Sequence, residues 1–71
     1  MHLPERDAET PEQAAQACGL GRTTIYMAIR RDPAKRKGLP YLPSFKIGRL
    51  RRILTETRRQ WLKDLETAAH N

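Results

Sequence analysis

The sequence predicts a small, mostly helical α+β domain: three short helices and a two-stranded β-hairpin. Three observations carry this. Two short helix-compatible stretches flank a Gly19-Leu20-Gly21 turn. Phe45 and Ile47 alternate with Lys46, Gly48-Arg49 marks a turn, and a second strand brings back Arg51, Arg52 and Ile53. Trp61, Leu62 and Leu65 recur at helical spacing after Thr55. A chain of 71 residues fits one domain with a modest core, so no deep substrate cavity is expected and function belongs on the surface.

Residues 1–9, with Pro4 and no apolar periodicity, read as a mobile leader. Thr10-Pro11-Glu12-Gln13 is a helix start: the Thr10 hydroxyl can cap free N–H groups, proline suits the first turn, and Gln13 can reach back. The first helix runs to about Ala17 and turns Ala14, Ala15 and Cys18 inward. Gly19 supplies a turn position where a positive φ is free of cost, Leu20 plugs the core beneath both helices, and Gly21 is a weak cap for the second helix. In that helix, Arg22 to Arg31, the residues Ile25, Ala28 and Ile29 share one face. This is the spacing of a helix-turn-helix, although an ordinary helical hairpin shares its residue types.

Asp32-Pro33 ends the second helix, since proline disfavours the α region in its predecessor. A basic, proline-rich loop comes next, which Leu39, Tyr41 and Leu42 tack to the core. The hairpin of Ser44 to Leu54 cannot stand alone and must lean on the helices as a wing. Thr55 caps a last helix with Trp61, Leu62, Leu65 and Ala68 or Ala69 on its inner face, and Trp61 is its core anchor. Residues 10–68 thus read as a winged helix-turn-helix DNA-binding domain, and residues 69–71 as a frayed end.

Charge is placed unevenly. The net is +6 overall, yet residues 13–55 hold ten basic residues against the single acid Asp32, a net of +9. Such a field favours a polyanionic partner. One cysteine, Cys18, makes no internal disulfide or multi-cysteine zinc site and reads as a small buried residue. There is no long apolar run and no signal-peptide pattern, so a cytoplasmic location is expected. An enzyme is not expected, and no cofactor or metal is: the one serine is Ser44, and the histidines, His2 and His70, stand at the two ends.

The face of the second helix opposite its apolar side carries Thr23, Met27 and Arg30, flanked by Thr24, Tyr26 and Arg31, with Arg22 at its start. A helix fits the major groove, where Arg takes guanine O6 and N7, and Thr or Met packs on a thymine methyl. Tyr26 either packs its ring on the first helix or gives its hydroxyl to a phosphate, and Met27 either reads or idles. The wing offers Lys46, Arg49 and Arg51 to backbone phosphates or the minor groove; Arg52 joins them or faces the last helix, according to register. Lys35, Arg36 and Lys37 either contact phosphate or are solvated.

Thr10-Pro11-Glu12-Gln13-Ala14-Ala15, Gly19-Leu20-Gly21-Arg22-Thr23-Thr24-Ile25-Tyr26, Leu42-Pro43-Ser44-Phe45-Lys46-Ile47-Gly48-Arg49 and Trp61-Leu62 resemble the small excisionase family. Its winged-helix domain is related to that of MerR-type regulators, and the resemblance covers about Thr10 to Leu65. It implies a recombination directionality factor without catalytic activity. Such a protein binds and bends DNA beside an attachment site and helps an integrase excise a mobile element, with neighbouring copies on the DNA. Relatives of the same shape regulate transcription. Two features depart from the pattern: a longer loop from Asp32 to Tyr41, and Arg58 where the family usually has an apolar residue, which could offer Arg58 to DNA or a partner. A different class remains open, a module in which the Trp61 and Leu65 helix or the basic loop docks an integrase or polymerase. Single-stranded RNA fits less well, because only Phe45 and Tyr41 lie near the strands to stack bases.

Overall fold

The computed structural model of the chain describes residues 7–69. The expected leader lies outside the described residues up to residue 6, as do His2, His70 and residues 70–71 of the expected frayed end. The architecture is α+β, with four helices and a three-stranded antiparallel sheet among the described residues. In chain order these are β1 (Ala8–Glu9), α1 (Pro11–Cys18), α2 (Arg22–Ala28), α3 (Pro33–Arg36), β2 (Phe45–Ile47), β3 (Leu50–Leu54) and α4 (Thr55–Ala69). The sheet order is β1-β3-β2. One helix and one strand more are present than expected.

The start of α1 is the reciprocal cap that its sequence suggests. The Gln13 N–H donates to Thr10 Oγ1 (3.0 Å), and the Thr10 N–H donates to Gln13 Oε1 (2.9 Å). Gly19 closes the helix at φ +70°, with its N–H on the Gln16 carbonyl and the Leu20 N–H on that of Ala15. Helices α1 and α2 meet through Ala14, Ala15, Ile25 and Ala28, all buried, and the small side chains let their backbones approach closely. Leu42, Ile53 and Trp61 complete the core; Cys18, Leu20, Ile29, Leu39 and Leu65 pack around it. Burial pushes the half-buried Cys18 thiol up from its usual value.

Helix α2 stops at Ala28, short of the expected Arg31. In a longer helix the Ala28 carbonyl would accept from the Asp32 N–H; here the Leu42 N–H takes it at 2.9 Å, and the Arg30 N–H tightens onto the Met27 carbonyl. Asp32-Pro33 then begins a helix rather than merely ending one. Asp32 Oδ1 accepts from the Ala34 N–H (3.0 Å), and Pro33, which has no N–H to satisfy, occupies the first turn of α3. The loop beyond is pinned by Trp61, whose Nε1–H donates to the Pro40 carbonyl (2.8 Å). Trp61 is the core anchor expected of it, 1% exposed, and so is sealed from any docking role.

Strand β1 corrects the leader's last residues. Ala8 and Glu9 pair with Leu54 and Ile53. The Glu9 carboxylate accepts from Arg58 Nε (3.1 Å) and Nη2 (2.9 Å) and from the Thr55 hydroxyl (3.2 Å). Arg58 is therefore turned inward to a carboxylate and not offered to DNA or a partner. Its guanidinium holds Glu9 below the usual carboxylate range, and Glu9 in turn raises Arg58. Along α4, Leu62 and Leu65 are half-buried, whereas Ala68 and Ala69 are exposed rather than on an inner face.

Candidate nucleic-acid interface

Helix α2 turns Ile25 and Ala28 inward, and its helical period brings Thr23, Tyr26 and Met27 to the other side. These three, with Arg30 just past the helix end, line a shallow groove of about 550 Å³. Ala34, Lys35 and Lys37, from α3 and its end, line the same groove. Four of the expected reading residues are thus brought together, although Arg30 reaches the group from a turn and not from the helix. Arg31 is separated from them and borders another hollow with Arg36 and Tyr41. Thr24 is half-buried on the flank of α2.

At the start of α2, an acid whose sequence position suggests only a match to helix polarity holds two candidates. The Tyr26 hydroxyl donates to Glu12 Oε2 (2.8 Å), and Arg22 Nη1 stands 3.9 Å from the same oxygen. Tyr26 is therefore tied to α1 through its hydroxyl while its ring stays 41% exposed. The Tyr26 bond is the main reason that Glu12 lies below its usual value, with Arg22 and Arg52 adding positive potential. The same bond raises Tyr26.

The hairpin turns at Gly48-Arg49 as expected. Gly48 takes φ +62° and Arg49 stays out of the left-handed region, the pattern of a type II′ turn. Its register pairs Phe45 with Arg52, Lys46 with Arg51 and Ile47 with Leu50. Lys46 and Arg51 accordingly share the face of Ile53, like charges directly opposed, and Arg51 Nη1 turns aside to donate to Ser44 Oγ (2.5 Å). Arg52 lies on the other face, away from Ile53, where Nη1 donates to the Arg51 carbonyl (2.9 Å). That face also carries Phe45, Ile47, Leu50 and Leu54, each between 36% and 63% exposed. This apolar face is set by the cross-strand register, which sequence spacing alone leaves open. Arg49 is exposed at the tip.

Arg36, in the basic run, is engaged within the fold. It donates from Nη1 to the carbonyls of Arg30 (2.9 Å) and Arg31 (3.1 Å) and from Nε to that of Leu39 (3.0 Å), and it stacks over Tyr41 at 5.4 Å. It is a strut that ties the end of α3 to the chain on either side of that helix. Among the described residues no group of three or more metal-ligating side chains occurs, and no helix is long and apolar enough to cross a membrane. No family model matches the chain, and no curated protein or solved structure matches it significantly.

Proposed function

We propose that the chain is a sequence-specific, DNA-bending accessory protein of winged helix-turn-helix shape, an excisionase that directs an integrase toward excision of a mobile element. In this reading α1 and α2 form the helix-turn-helix and β2 with β3 the wing. Arg22, Thr23, Met27 and Arg30 read base edges in the major groove, flanked by Thr24, Tyr26 and Arg31. Lys46, Arg49, Arg51 and Arg52 hold backbone. The protein is not a catalyst; an integrase and neighbouring copies on bacterial DNA are its partners. The single supporting observation is the exposed groove along α2, where Thr23, Tyr26, Met27 and Arg30 converge within a segment of net charge +9.

The test is a footprint on DNA flanking the gene, run with a circular-permutation bending assay. Protection of an attachment site with a bend supports excision. Protection confined to a promoter shifts the assignment to a transcriptional regulator of the same shape, and no protection overturns both. A protein-docking module is a second reading, favoured by the exposed face of Phe45, Ile47, Leu50 and Leu54 around Arg52. It expects weak DNA binding by the isolated chain that strengthens when an integrase is added; a tight footprint by the chain alone removes it.

A further inference from the structure

The basic run after α2 divides by contact. Arg36 is spent internally on three carbonyls and the Tyr41 ring, and those contacts fix α3 against the end of α2. Lys35 and Lys37, on either side of it, are both exposed and line the groove together with Thr23, Tyr26, Met27 and Arg30. No hydrogen bond or ion pair among the described residues engages either ammonium. The nearest acid in sequence, Asp32, is occupied with the Ala34 N–H, and Glu12 already accepts from the Tyr26 hydroxyl. Two cations without a hydrogen-bond or ion-pair partner among the described residues thus line the same groove as the candidate reading residues.

The backbone adds a second, independent feature. Lys37 ends α3 at φ +52°, ψ +44°, the left-handed conformation that glycine adopts without penalty and lysine does not. It is the sole non-glycine residue with positive φ among the described residues. The chain therefore carries a cationic side chain where backbone stability alone favours glycine, and strained positions of this kind gather at binding sites.

We propose that Lys35 and Lys37 form a phosphate clamp on the α3 side of the groove. Their ammoniums hold the backbone of one strand of a DNA duplex whose base edges face Thr23, Met27 and Arg30. The clamp rests on the reading of α2 as the DNA-facing helix, and it adds a second backbone contact region to that of the wing. Because an ammonium on a phosphate reads no bases, the clamp acts alike on all sequences and works by releasing counterions.

The experiment is fluorescence anisotropy of the full chain with a labelled random-sequence duplex across a salt series. Thermal melting is recorded for each variant. For Lys35→Ala with Lys37→Ala, the slope of log affinity against log salt becomes shallower by about 2, and affinity at about 0.1 M salt falls roughly tenfold to a hundredfold. Lys37→Gly makes the slope shallower by about 1 while its melting temperature holds or rises, which separates a lost contact from a lost fold. Lys63→Ala, on the outer side of α4, leaves the slope unchanged; an equal effect there reduces the clamp to general charge and overturns it. A wild-type slope retained by the groove variants also overturns the clamp but leaves the DNA reading standing. Absence of salt-dependent duplex binding by the wild type overturns both.

Discussion

Glu9 and Arg58 are 49 residues apart in sequence and make a two-pronged ion pair, with side chains only 10% and 12% exposed. A pair so enclosed is costly to break from one side, because the remaining charge keeps its desolvation without its partner. Arg58→Ala is expected to destabilise by about 3 kcal/mol, lowering the melting temperature by more than about 10 °C, as calorimetry can measure. Replacing both, Glu9→Leu with Arg58→Met, should recover most of that loss. The pair also sets an acid limit. Glu9 in the fold lies below the usual glutamate value of 4.5, so its contribution is complete above that value and is lost as pH falls through the lowered one. Melting curves from neutrality into acid should therefore flatten for Glu9→Gln relative to the wild type. None of this was legible in sequence. Glu9 sits in a stretch without periodicity, and its partner is fixed only once β1 has paired with β3.

Elements whose signals are local were legible, and those decided by distant contacts were not. The Thr10-Gln13 cap, the Gly19 turn and the Gly48-Arg49 hairpin all arise from residues within a few positions of one another. The end of α2 does not. It depends on the Leu42 N–H reaching the Ala28 carbonyl and on Arg36 collecting those of Arg30 and Arg31. Asp32-Pro33 is ambiguous by itself, since the same pair that stops one helix caps the next. Arg36 is therefore the residue on which α3 turns. Arg36→Ala removes the donor from three carbonyls, two of them at exposed positions that water can serve, and should cost about 1 kcal/mol in chemical denaturation. Arg36→Lys should rescue little, since a single ammonium cannot reproduce a planar fork over Tyr41. Full stability in Arg36→Ala would show that α3 is held by something else.

At the scale of the whole molecule, the basic segment covers the faces around α2, α3 and the hairpin, while acids stand in β1, α1 and α4. If about four to six phosphates are neutralised, log affinity should fall against log salt with a slope of about −4 to −5. Within that total the residues should separate by role. Arg49→Ala, at the exposed tip, should weaken every duplex alike and lower the slope by about 1. Arg30→Ala, in the groove beside Thr23 and Met27, should instead cost about 1–3 kcal/mol on the preferred site and little on random DNA. The two effects differ in kind because a phosphate repeats at every step of the duplex while a guanine edge does not. Equal losses on specific and random DNA for both substitutions would mean that α2 and the hairpin supply charge alone, and sequence discrimination would have to come from the deformability of the bent duplex.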